Sequence, residues 1–134
     1  MGLQDQEGLA EPVLRPNGPL VALSPATPRM KGRWIVAPKP GGWDDQALSE
    51  WELTAAGFAD KHPHDEVTFV LEGEVHIRVA DTTVVGTRGD TITVPAGSVG
   101  HYSAPKYARM LGIYGPNPEG AESESLQYWE IDEA

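Results

Sequence analysis

The feature that most limits this chain is the rhythm of turn signals in its second half. Residues 67–71 (VTFVL) run into Glu72-Gly73-Glu74, which reads as a tight turn, and Val75, Ile77 and Val79 then alternate with His76 and Arg78. Residues 80–83 (ADTT) turn the chain again, Gly89-Asp90 and Pro95-Ala96-Gly97 break it twice more, and strand-like runs surround 101–103 and 109–114. Alternation of β-branched and aromatic residues between Gly and Pro breaks marks short strands. Strands recurring at roughly 8 to 12 residues predict an all-β sandwich or barrel, with no room for a long helix.

The first half fits the same class. Five prolines within the first 30 residues predict an extended arm over 1–28 with one apolar patch, residues 20–23 (LVAL). Residues 33–37 (RWIVA) read as a strand that the run 38–42 (PKPGG) ends, and 47–56 (ALSEWELTAA) alternates at period two, again a strand. The barrel is expected over 29–118. The tail over 119–134 carries six acids and no base, and 126–131 (LQYWEI) reads as a last edge strand. Leu, Ile, Val and Phe make up 28 of 134 residues, close to the ~20% below which a chain cannot bury a core. Half of them fall within 67–113, so the core is expected there.

Charge and composition narrow the function. A net charge of −10 repels phosphate backbones and anionic membranes, which argues against nucleic-acid or membrane partners. No apolar run approaches the ~18 residues of a membrane span, and the opening residues MGLQDQ resemble no targeting signal. A cytoplasmic location is the expectation. The chain has no cysteine, so any metal must be held by His, Asp or Glu.

Those residue types cluster. Three of the four histidines lie in two windows, 60–66 (DKHPHDE) and 97–101 (GSVGH). On a straight strand Asp60, His62, His64 and Glu66 would share a face, although Pro63 interrupts that straightness. Imidazole and carboxylate together suit a divalent transition metal, Fe, Mn, Ni, Zn or Cu. His76, between Val75 and Ile77, reads as a surface histidine, and Trp34, Trp43 and Trp51 read as packing groups or as lining at a barrel mouth.

The order His62-Pro63, Glu66, six residues, Gly73, then Gly89, five residues, Pro95-x-Gly97 and His101 resembles the two signature motifs of the cupin superfamily. These are G-x5-H-x-H-x(3,4)-E-x6-G and G-x5-P-x-G-x2-H-x3-N. The resemblance covers roughly residues 40 to 115 and implies a double-stranded β-helix, or jelly-roll barrel, usually homodimeric, with a divalent metal inside. Carried over residue by residue, it implies metal ligands Asp60, His62, Glu66 and His101. His64 is then a proton-moving group beside the metal or an alternative ligand, and Tyr102 and Tyr107 are substrate contacts. Two positions depart from the motif: Asp60 stands where the first His belongs, and the second-motif ligand position falls on Gly100, one residue before His101. A one-residue slip reverses a side chain's face, so a bulge at Gly100 is expected to turn His101 inward. A set built from His62, His64 and the carboxylates, or a pocket without metal, are the other arrangements the residues allow.

Two function classes follow. One is a metal-dependent enzyme acting on a small organic molecule, as a dioxygenase, cyclase or isomerase. The other is a small-molecule binder or regulator with a degenerate metal site. If Glu66 faces inward, Val67, Phe69 and Leu71 face outward together, which predicts that a homodimer partner or the arm around 20–23 covers them.

Overall fold

The computed structural model describes residues 11–132, so the first ten residues of the expected arm lie outside it. Eight strands are present and, among the described residues, no helix: β1 (Val21–Ala22), β2 (Met30–Val36), β3 (Ala47–Lys61), β4 (Glu66–Val79), β5 (Thr82–Thr87), β6 (Thr91–Val94), β7 (Val99–Tyr114) and β8 (Glu124–Glu130). All pairings are antiparallel. The fold is all-β, an antiparallel jelly roll.

Two readings from sequence are corrected. Glu72-Gly73-Glu74 is not a hairpin turn, and 101–103 and 109–114 are not separate strands. β4 and β7 each run unbroken through those points, because a bulge bends a strand without ending it. In β4 the bend falls at Gly73, whose φ is 77° and whose missing Cβ would lie 2.1 Å from the carbonyl oxygen of Tyr107. Only glycine fits both conditions. In β7 Pro105, which has no N–H to donate, falls where no residue pairs with it.

These bends make two layers out of three long strands. The first half of β3, the second half of β7 and the first half of β4 pair side by side, extended by β2 and β1 at one edge and β6 at the other. The other halves of the same strands form the second layer, flanked by β8 and β5. Between the layers lies an apolar core that includes Leu53, Val70, Val75, Ile77, Ala104 and Met110.

The bulge in β3 sets the phase of the candidate site. Pairing with β7 shifts between Thr54 and Ala56, and Ala55 sits at φ 48°. Before it Ala47, Ser49, Trp51 and Leu53 are buried; after it Ala56 is buried while Phe58 and Asp60 line the interior cavity. One extra residue therefore changes which parity of the strand faces inward.

At the arm, Arg33 donates from its guanidinium to the Pro16 carbonyl and the Asn17 side chain, both at 3.4 Å. β1 then pairs with β2, at the sheet edge separated from β4 by β2, β3 and β7. The patch 20–23 thus lies at that edge, three strands away from Val67, Phe69 and Leu71. The acidic end of the chain carries β8, antiparallel to the second half of β3.

Candidate metal centre

Asp60 is the last residue but one of β3, Glu66 begins β4, and the short link between the strands carries His62 and His64. Backbone bonds fix that link from two sides. The His62 carbonyl accepts from Gly97 N–H at 2.8 Å, and the Asp65 side chain accepts from Ala96 N–H at 2.8 Å. The Pro95-Ala96-Gly97 break in the sequence is thus the clamp on the histidine loop.

Asp60, His62 and Glu66 converge, each offering one ligand atom within 4.8 Å of the others. His62 Nε2 lies 2.9 Å from Asp60 Oδ2 and 3.0 Å from Glu66 Oε1, yet this buried nitrogen makes no aligned hydrogen bond, and neither does Asp60 Oδ1. Buried polar atoms are seldom left so, and a cation among them would take up the lone pairs that no aligned hydrogen bond uses. One imidazole nitrogen and two carboxylate oxygens also match the donor chemistry of a divalent transition metal. The site fits such an ion.

Two of the three candidate ligands are held from behind. His62 Nδ1 is 2.6 Å from Ser123 Oγ, which lies just ahead of β8. Glu66, 2% exposed, accepts at Oε1 from the Tyr102 hydroxyl at 2.8 Å. Burial pushes the His62 pKa down, but the carboxylates of Asp60 and Glu66 outweigh it and raise it to about 9. In the absence of a cation, a proton on His62 is therefore the cluster's neutralising charge.

His64 belongs to the same pocket but not to the converged set. It is 6% exposed, stacks on His62 with ring centroids 4.8 Å apart, and meets Trp43 edge-on at 5.6 Å. Its Nδ1 lies 3.0 Å from the Asp65 carbonyl, to which it donates in the neutral ring, leaving Nε2 as an acceptor. Burial, the largest influence, lowers its pKa, and the neighbouring His62 lowers it further. His64 is therefore a neutral imidazole beside a charged one.

His101 is not in the cluster, a correction to the expected four-ligand set. Pairing of Asp60 with Gly100, Ala59 with His101 and Phe58 with Tyr102 proceeds without a shift, so there is no bulge at Gly100. Regular alternation buries Gly100 and Tyr102 on the inside and turns His101 to the outer face. A Cβ at Gly100 would lie 2.9 Å from the Tyr102 ring and 3.0 Å from its hydroxyl. The absent side chain is what lets Tyr102 reach back to Glu66. Tyr102 itself, 1% exposed, is packed against Trp51 and is not among the groups lining the cavity, so it is no substrate contact. Tyr107 is also elsewhere, donating to Glu52 Oε2 at 2.7 Å.

The cluster opens into a cavity of about 970 Å³ lined by Trp34, Trp43, Trp51, Phe58 and Tyr114 among others. Tyr114 was not singled out by the sequence reading. Its ring meets His62 at 5.5 Å and His64 at 6.0 Å, and its hydroxyl is 2.7 Å from Ser49 Oγ. Burial, then the Glu66 charge, holds its pKa well above the usual value, so it stays a neutral phenol. Its place was available from strand parity, since Met110, Gly112 and Tyr114 share the inward face of β7. Nothing local in the sequence signals Ser123, which reaches the site through the pairing of β8.

The family model for the cupin domain matches residues 51–114. Acetate kinase EutQ of Salmonella typhimurium LT2 is 32% identical over 74 residues, 55% of this chain but only 28% of that protein. The chain thus spans under a third of that curated relative. The crystal structure of a putative ethanolamine utilization protein Q from the same organism superposes with a TM-score of 0.57 at 25% identity, covering 65% of this chain and 69% of that one. A cupin-like protein from Thermotoga maritima has a TM-score of 0.63 at 16% identity, over 72% and 75%, a likeness of fold alone. With the motif residues, the two bent layers and the interior His-carboxylate cluster in agreement, residues 51–114 form a cupin domain and the chain has the cupin fold.

Proposed function

We propose that this chain is a metal-dependent enzyme acting on a small organic molecule, with Asp60, His62 and Glu66 holding a divalent transition metal. The observation that carries the reading is the convergence of three candidate ligand atoms, His62 Nε2 set between a carboxylate oxygen of Asp60 and one of Glu66, in an aromatic-walled cavity. A bound metal would polarise an oxygen of the substrate as a Lewis acid. The chain's own groups supply the rest. His64 Nε2, on a neutral ring steered by the Asp65 carbonyl, accepts a proton from the substrate and returns it at another atom. Tyr102 and Ser123 fix the orientations of Glu66 and His62, while Trp34 and Trp43 give the cavity apolar walls for the body of the substrate. Of dioxygenase, cyclase and isomerase chemistry, this placement of a neutral base favours the proton-transfer reactions of a cyclase or isomerase.

A binder without turnover is the second reading. Its support is the outward turn of His101, which leaves three ligating residues where the motif has four. In either case the outward, half-buried Val67, Phe69 and Leu71, next to Leu111 and Ile113 across the β4–β7 pairing, support a homodimer. A cysteine-free chain is in keeping with the cytoplasm.

Elemental analysis of protein purified without a metal-affinity tag tests the metal reading. About one equivalent of Mn, Fe, Ni, Zn or Cu is expected in the wild type, a sharp fall in His62→Ala and Asp60→Ala, and no change in His101→Ala. Failure to take up any of these ions on reconstitution would overturn it.

A further inference from the structure

The outer face of the second layer carries a second cleft, of about 410 Å³, which the metal centre does not use. Its shape follows from the register. Ala59 of β3 lies opposite both His101 of β7 and Gln127 of β8, and Gly57 lies opposite both Ser103 and Trp129. The two small residues of the middle strand form a trough between taller neighbours. On the β4 side the rows continue, with Arg78 opposite His101 and His76 opposite Ser103, and Thr83 of β5 lies opposite Arg78. A Cβ on Gly57 would come within 2.2 Å of the Trp129 ring, so the indole lies directly over that glycine as the far wall.

The chemistry of the lining is one-sided. The cleft is lined by a guanidinium, two imidazoles, two hydroxyls, an amide and an indole, all able to donate hydrogen bonds, and among the described residues by no carboxylate. His101 Nδ1 is buried there without a partner. Arg78 gives one N–H to the Ala80 carbonyl, leaving four for other acceptors. The nearest acid in contact with the lining is Glu74, whose Oε1 is 2.9 Å from His76 Nε2. On a chain of net charge −10, an acid-free donor pocket is a local reversal of the prevailing sign.

We propose that this cleft binds a small organic oxyanion, a carboxylate or a phosphate, its charged end between Arg78 and His101 and its body against Trp129. Guanidinium and imidazole donors suit two oxygens of one such group, and the indole supplies an apolar wall. The site is independent of the metal reading, because it lies on the opposite face of the sheet.

The test is a two-dimensional NMR titration of the full chain with inorganic phosphate, benzoate and phenyl phosphate, at constant ionic strength set with sodium chloride. Saturable shifts of the Trp129 indole and His101 ring signals are expected with at least one probe, assigned by Trp129→Phe and His101→Gln. Saturation by inorganic phosphate but not benzoate identifies a phosphate site; the converse identifies a carboxylate site. Arg78→Gln should weaken binding by roughly tenfold or more, as expected for losing a charge-assisted contact. His101→Gln should weaken binding too while leaving metal content unchanged. Linear, unsaturated shifts with all three probes, or undiminished affinity in Arg78→Gln, would overturn the proposal.

Discussion

Raising the pH from 6.5 to 9 should destabilise the metal-free protein, and His62 sets the size of the effect. Its pKa is about 9 in the fold, against an ordinary value of 6.5, because two carboxylates outweigh its burial. Between those values the folded chain keeps a proton that the unfolded chain has lost, so stability falls as pH rises. It is fully present below 6.5 and lost by the time pH passes 9. The span of roughly 2.5 units corresponds to about 3 kcal/mol, at about 1.4 kcal/mol per pH unit. Other groups act in separate windows. His64, with a lowered pKa, costs stability only as pH falls below 6.5, and Tyr107, pushed up to about 12, costs it only above 10. Urea midpoints of chelator-treated protein at pH 6.5, 7.5, 8.5 and 9 would measure the slope. Loading with zinc or manganese should abolish it, since a metal-bound Nε2 carries no proton, and His62→Gln should abolish it as well. A midpoint that stays flat across this range in the metal-free wild type, or an unchanged slope in His62→Gln, would refute the account.

Tyr102→Phe keeps the ring against Trp51 but strips Glu66 Oε1 of its donor, and should cost about 1.5–3 kcal/mol in urea unfolding of the metal-free protein. Gly57→Ala places a methyl inside the Trp129 ring and should cost about 1–3 kcal/mol, with faster amide exchange confined to β8 and its β3 partners. Glu50, 8% exposed, accepts from Arg33 Nε at 2.8 Å and Arg109 Nη1 at 2.6 Å. Burial raises its pKa, but the two guanidiniums outweigh that and hold it below 4.5. Glu50→Gln should therefore lose about 1–3 kcal/mol at pH 7, and thermal melts should show the deficit shrinking as pH falls below 4.5.

Much of this architecture was legible because β-sheets advertise their period. Alternation in 47–56 and 75–79 marked strands, and Pro95-Ala96-Gly97 marked a break, although its hold on the histidine loop shows only in the fold. What misled was punctuation that a bent strand shares with a turn. Gly73 between two glutamates has the composition of a hairpin, yet its positive φ serves a corner within β4, and only the long-range pairing to β7 decides between them. The convergence of Asp60, His62 and Glu66 was legible because they are close in sequence and fall on the first cupin motif. His101 was misread because its direction depends on a bulge that no residue type announces, and a glycine at 100 is equally suited to a bulge or to making room for Tyr102. Ser123 was invisible locally, being delivered by a strand more than 60 residues away from His62.

The extra residue at Ala55 has a consequence for how this chain can change in length. Every side chain from Ala56 to Lys61 owes its direction to an odd or even count taken from that point. Deleting Ala55 itself would return β3 to unbroken alternation, with Leu53, Ala56, Phe58 and Asp60 still inward, whereas deleting Gly57 with the bulge kept would send Phe58 and Asp60 outward and bring Ala59 in, so that the interior cluster and the outer trough would vanish together. Substitutions can alter either face alone, but a single insertion or deletion beyond the bulge cannot. Apart from loss of Ala55, length variation in this stretch should be tolerated in steps of two, and a library of one- and two-residue deletions across 54–58 would separate the odd from the even.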